Sequence, residues 1–168
     1  MLGNLLLGGH MKKSFFILLL LCFTMVLISG CVDYSQTYDD DEKIASYSDG
    51  YSSMMSSTRT WGKDFSMSAT FTGTKTIWRY RASEDVKIRL SYMLSVTEGG
   101  KAKLVLITPE NELIILSENT DNSVMSEMKS ETITLKKGNN RIKIVGQDSP
   151  KFQLKLNTDG FGQLGEED

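Results

Sequence analysis

From Val86 to Val96 the chain alternates without a break. Val86, Ile88, Leu90, Tyr92, Leu94 and Val96 are interleaved with Lys87, Arg89, Ser91, Met93 and Ser95. Successive side chains of a strand point to opposite faces, so this run reads as a strand with one buried and one wet face. The same period-two pattern, more briefly held, marks strands at Phe65–Phe71, Lys75–Arg81, Ala102–Ile107, Glu112–Leu116, Glu131–Leu135, Arg141–Val145 and Lys151–Leu156. Nothing between residues 64 and 157 carries a sustained helical stripe. Ile88, Leu90, Leu94, Ile142 and Ile144 are therefore expected to face inward, and Lys87, Arg89 and Lys143 to face water.

Turn chemistry separates the runs, with "TEGGK" at 97–101, "TPEN" at 108–111 and "KKGNN" at 136–140. Seven to eight short strands joined this way predict an all-β domain over residues 64–157, an antiparallel β-sandwich of jelly-roll-like character. Leu104–Ile107 and Leu113–Leu116 are apolar on both faces. They are expected to be central strands, or a seam whose outer face another element covers. The stretch Ser117–Ser130, "SENTDNSVMSEMKS", is expected to cross between the sheets.

Residues 31–63 are rich in Ser, Thr, Tyr, Asp and Met, poor in large aliphatics and aperiodic, and they read as a flexible acidic tether. The carboxylates Asp39, Asp40, Asp41 and Glu42 within it read as a solvated run, so no metal site and no cofactor is expected. Residues 158–168 read as a flexible acidic tail. The formal charge is −2 for the whole chain and, once Lys12 and Lys13 are removed with a signal peptide, −4. That balance excludes nucleic acid as a partner, which calls for a concentrated basic face.

Ahead of the tether, Lys12 and Lys13 precede an apolar run from Phe15 to Ile28, shorter than the ~20 residues needed to span a bilayer. It closes on Leu27, Ile28, Ser29 and Gly30 before Cys31. These residues resemble the lipobox of bacterial lipoprotein signal peptides. The resemblance implies diacylglyceryl transfer to the Cys31 thiol, cleavage after Gly30, and a mature chain held at the outer face of the cell membrane by two or more acyl chains. Cys22 lies inside the signal at 11–30 and would leave with it, so a Cys22–Cys31 disulfide is not expected. Residues 1–10 read as untranslated leader, because Gly8 and Gly9 would be encoded by purine-rich codons just upstream of Met11.

The stretches "GTKTIWRY" at 73–80, "SYMLSVTEGGKAKLVLITPENELIIL" at 91–116 and "GNNRIKIVGQDSPKFQLKL" at 138–156 resemble the small lipoproteins common in low-GC Gram-positive bacteria. In those a lipobox is followed by a Ser-rich spacer and a jelly-roll-like sandwich. The resemblance implies a location in the cell envelope and a fold, and it brings no catalytic residues.

After Cys31 the chain has neither histidine nor cysteine. A Ser-His-Asp triad, a Cys-His pair and a His-built zinc site are all excluded. The carboxylates Glu84, Asp85, Glu110, Glu112 and Asp121 fall at turns and strand ends, where acids are ordinary solubilising residues, so a non-enzyme is expected. Binding is left. Trp78 and Tyr80 share one strand face and Arg79 and Arg81 the other, with Trp61, Phe71 and Tyr92 possible neighbours. An aromatic platform at Trp78 and Tyr80 would suit sugar rings; the competing reading buries both in the core. Arg79 and Arg81, with Lys87, Arg89, Lys101 and Lys103, offer a basic sheet face to an anionic wall polymer. Two functions follow from the residues: an envelope lipoprotein whose domain contacts another protein or the wall, or a surface-tethered carbohydrate-binding module.

Overall fold

A computed structural model of the chain describes residues 33–121, 123–125 and 127–164. Leu27, Ile28, Ser29, Gly30 and Cys31, whose sequence resembles a lipobox, lie outside them. Among the described residues no helix is long and apolar enough to cross a membrane.

The described residues form nine strands: β1 (Gly50–Trp61), β2 (Asp64–Ala82), β3 (Val86–Glu98), β4 (Lys101–Ile107), β5 (Leu113–Thr120), β6 (Lys129–Leu135), β7 (Gly138–Gln147), β8 (Lys151–Asn157) and β9 (Gln163–Leu164). Every pairing is antiparallel, in the order β5-β4-β7-β2-β8-β3-β6, with β1 and β9 added to β2. The register reveals a simpler object. Strand β2 pairs with β8 over Asp64–Thr70 and with β7 over Gly73–Ala82, so β7 and β8 lie end to end along it. In the same way β4 and β3 continue one another along β7 and β8, and β5 and β6 along β4 and β3. A few long strands thus bend together on one line and make two layers. One holds β1, the first half of β2, β8, β3 and β6; the other holds the second half of β2, β7, β4 and β5.

The bend line falls where side chains are least tolerable. Gly73 has φ 115° and Gly100 φ 46°, and a Cβ at either would sit 2.1 Å from Gly50 O or 2.0 Å from Gln147 O. "TEGGK" is therefore a corner rather than the hairpin turn its composition predicts, because β3 and β4 pair with β8 and β7 instead of with each other. Only "TPEN" closes a hairpin as expected, between β4 and β5. The two strands expected at Phe65–Phe71 and Lys75–Arg81 are one, since pairing with β7 resumes at Gly73.

The core fills the space between the layers with the alternating residues of β3 (Ile88, Leu90, Tyr92, Leu94, Val96), with Phe65, Met67 and Phe71 of β2, and with Ile142, Ile144, Phe152, Leu154 and Leu156. Its inward assignment of Ile88, Leu90, Leu94, Ile142 and Ile144 agrees with the alternation. The segment 117–130 does pass between layers, though its ends belong to β5 and β6.

The expected tether departs from expectation from Tyr34 onward. A 3-10 turn at Ser35–Thr37 leads to helix α1 (Asp41–Ala45), whose N-cap Asp40 accepts from Lys43 N at 3.0 Å, with Asp41 and Glu42 in the first turn where the helix dipole favours anions. Tyr38, Ile44 and Ala45 are buried against Val105, Ile107 and Val145, on the outer face of β4 and β7. This clasp is the covering element that the doubly apolar run Leu104–Ile107 requires.

The clasp also buries charge, which corrects the expectation that Lys143 faces water. Its side chain is 0% exposed. Lys143 Nζ donates to Ser46 O at 2.7 Å and to Ser48 O at 3.3 Å, and it lies 2.9 Å from Asp49 Oδ1. Arg141, two residues along the same face, donates to Ala45 O (2.7 Å), Ser46 O (2.9 Å) and Asn111 Oδ1 (3.3 Å) under the ring of Tyr47. Carbonyls at the end of α1 thus find cationic donors. Burial lowers the basicity of both Lys143 and Arg141. Asp49 in turn accepts from Thr76 N and Thr76 Oγ1, tying the clasp to β2.

The expected flexible tail at 158–168 is folded as far as residue 164. Thr158 is buried, Phe161 packs against the core, and Gln163 and Leu164 pair with Arg79 and Trp78.

Candidate functional site

Trp78 is 0% exposed. Its Nε1 donates to Phe161 O at 2.7 Å, and its ring stacks on Tyr80 at 6.0 Å between centroids, with Phe161 edge-on to Tyr80. The structure brings Trp78 and Tyr80 together inside the core, so of the two readings of this strand face the buried one holds and the sugar platform does not. Arg79 and Arg81 are exposed on the opposite face. The six-residue basic face does not assemble either. Arg79 and Arg81 project from the second half of β2, Lys87 and Arg89 from β3 in the other layer, and Lys101 and Lys103 lie over the Tyr38 ring, with Lys103 buried.

An aromatic platform exists elsewhere. β1 and β2 form a hairpin in which Trp61 pairs with Asp64 across a two-residue loop, Gly62-Lys63. Gly62 takes φ 58° at the first loop position, the place a type II′ turn reserves for glycine. Directly paired residues of antiparallel strands share a face. Phe65 and Met67 point into the core, so Asp64 and Ser66 point out, and with them their partners Trp61 and Arg59 on β1 and Asn157 and Lys155 on β8. Trp61 is 83% exposed. Beside it runs a cleft of about 250 Å³, lined by Arg59, Trp61, Asp64, Ser66, Met128 and Lys155 over a floor of Phe65 and Leu156.

The polar groups of the cleft differ in commitment. Asp64 Oδ1 accepts from Asn157 Nδ2 at 2.5 Å, which holds both side chains in place. Arg59 and Lys155 make no hydrogen bond or ion pair with any described residue. An indole face flanked by donors that are free to engage, on a rigid sheet, suits a ligand with an apolar ring face and polar edges. Position 61 was legible in the sequence only as a tryptophan next to a Gly-Lys loop, at the end of a strand made mostly of Ser, Thr and Met. That strand has no alternation to announce it, because every residue from Tyr51 to Trp61 is exposed.

A larger open hollow, of about 1100 Å³, runs along Asp40–Lys43, Ala45–Ser48 and Asn111. Its polar groups already serve the clasp, Asp40 by capping α1 and pairing with Lys43 at 3.1 Å. Among the described residues no group of acidic, His or Cys side chains is placed to hold a metal ion.

No protein-family model matches the chain. No curated protein matches it. Among solved structures it is similar to a family 29 carbohydrate-binding module, with 13% identity and a TM-score of 0.38 over 66% of this chain and 72% of that one. A second structure of that family matches with 11% identity and a TM-score of 0.39, over 66% and 75% of the two chains. A family 61 carbohydrate-binding module in complex with β-1,4-galactotriose matches with 12% identity and a TM-score of 0.32, over 81% of this chain and all of that one. Likeness at this level carries no inference about a ligand, and the antiparallel β-sandwich described above rests on its own strand pairing.

Proposed function

We propose that this chain is a non-catalytic binding protein of the bacterial cell envelope, anchored to the membrane through lipid on Cys31, and that its Trp61 cleft takes a saccharide ring. The observation that carries the saccharide reading is an indole 83% exposed at a hairpin tip, set beside a cleft with fixed and free polar groups. A tryptophan left in water on a rigid strand loses the stabilisation of burial, and stacking against a pyranose face restores it. The anchor reading is supported by Leu27, Ile28, Ser29 and Gly30 ahead of Cys31.

The two tryptophans make the test simple, because Trp61 is open to solvent and Trp78 is sealed. Acrylamide should quench Trp61 emission in the purified full chain, and soluble wall glycan fragments should protect it. Trp61→Ala removes both the quenchable emission and the glycan retention in affinity electrophoresis. Equal retention of Trp61→Ala and the parent chain would end the saccharide reading. For the anchor, intact mass should show diacylglycerol on Cys31 and Cys31→Ala should leave the membrane fraction; an unmodified Cys31 thiol would end that part.

A further inference from the structure

We propose that the saccharide taken by the Trp61 cleft is acidic, a glycan polymer carrying carboxylate or phosphate, with the anion held between Arg59 and Lys155. The inference rests on the saccharide reading of the cleft and adds the chemical class of its ligand. Arg59, Ser66 and Lys155 form one row across β1, β2 and β8, fixed by the pairings Arg59↔Ser66 and Ser66↔Lys155. Strands lie about 4.8 Å apart, so the backbones that carry the two cations stand about 10 Å from each other on either side of Ser66. Two long side chains converging over that gap reach the oxygens of one anion, with the Ser66 hydroxyl between them. Trp61 sits one strand repeat further along, where the ring that bears the anion meets the indole.

What singles out these two cations is their place: among the described basic residues without a carboxylate at ion-pair distance, which also include Arg79, Arg81, Lys87, Arg89 and Lys137, they are the two that line the cleft. Lys43, Lys63, Lys101, Lys129, Lys136, Lys143 and Lys151 each have a carboxylate within ion-pair distance. Arg59 and Lys155 have none among the described residues, although Asp64 lies in the same cleft. The Asp64 carboxylate is engaged by Asn157 instead, at 2.5 Å. Nucleic acid also combines anions with stackable rings. It calls for a basic track along many phosphates, and the two cations that line this cleft, on a chain that is negative overall, do not make one.

The experiment titrates the full chain, following Trp61 emission, with polygalacturonate, its methyl ester, a poly(glycerol phosphate) polymer and a single-stranded oligonucleotide. The expected result is binding of at least one of the two acidic polymers about tenfold or more tighter than the neutral ester, weakening as salt is raised. Which acidic polymer binds identifies the anion as carboxylate or phosphate. Arg59→Gln with Lys155→Gln removes that preference while leaving the melting temperature and the Trp78 emission unchanged, since both positions are exposed. Ester bound as tightly as free acid, or a double variant that keeps the preference, overturns the acidic assignment and leaves the saccharide reading standing. Failure of every glycan to shield Trp61 removes the saccharide reading together with the inference. Tighter binding of the oligonucleotide than of either acidic glycan overturns both.

Discussion

Lys143 shows how little a charge in an alternating strand says about where it ends up. In the sequence Arg141 and Lys143 flank Ile142 exactly as Lys87 and Arg89 flank Ile88. One pair meets solvent, and the other meets carbonyls of Ala45, Ser46 and Ser48. The consequence for stability is opposite in the two strands. Removing one partner of a buried ion pair leaves the other uncompensated, so Lys143→Ala should cost ~3 to 5 kcal/mol. Lys87→Ala or Arg89→Ala should cost ~0.5 kcal/mol or less. Urea denaturation of the full chain measures all three, and equal losses would refute the buried pair. Alkaline pH probes the same neighbourhood. Burial, reinforced by hydrogen bonding to Glu118 and Glu131 respectively, raises the Tyr38 and Tyr92 phenols above their ordinary value of 10.0. The folded state therefore holds their protons longer than the unfolded chain does, and that contribution is lost as pH rises past 10. Lys143 has the opposite sign. Burial lowers its value from 10.5, so the folded state gains as the ammonium deprotonates below that pH. With two phenols against one amine, the melting temperature should fall above pH 10, and Tyr92→Phe should flatten the fall. An unchanged slope in Tyr92→Phe would show that its phenol does not contribute.

The elements differ in how far the sequence discloses them, and the reason is which surface each one buries. Strand β3 alternates because one face meets the core and the other water, and its pattern suffices to place Ile88, Leu90 and Leu94. Strand β1 buries neither face, so nothing in "GYSSMMSSTRTW" marks it as a strand, and the Trp61 cleft that it builds was out of reach with it. The clasp fails for a different reason. Its buried residues Tyr38, Ile44 and Ala45 are too few and too scattered among acids to show a period, and they matter only because the outer face of β4 and β7 is apolar. That need was readable from the other side, in the doubly apolar run Leu104–Ile107. A tether and a clasp make different predictions for Ile44, which is fully buried. Ile44→Ala should cost ~2 to 4 kcal/mol, comparable with Leu90→Ala, because a buried aliphatic is truncated in both. Denaturation of the two variants side by side decides it, and a neutral Ile44→Ala would restore the tether.

For the whole molecule, residues 34–49 fold onto the sheet where a tether was expected, and lead directly into β1. Tyr34 packs against Gly50, since a Cβ at Gly50 would sit 2.8 Å from the Tyr34 ring, and Gly50 pairs with Thr74 on the bend line. From there β1 runs twelve residues to Trp61 at the far end of its layer. At about 3.3 Å per residue that is roughly 35 to 40 Å of strand. Gly50 and the Trp61 cleft thus stand at opposite ends of one stiff, paired strand. Reconstituting the lipidated full chain in vesicles that contain brominated phospholipid tests whether the Trp61 cleft, as proposed, serves a glycan rather than the bilayer. Trp61 emission should survive the bromine, which quenches only near contact, and should yield to aqueous acrylamide. Trp78, buried in the core, should resist both. Strong quenching of Trp61 by the brominated lipid would place the cleft on the bilayer and make the membrane surface, rather than a glycan above it, the thing this face meets.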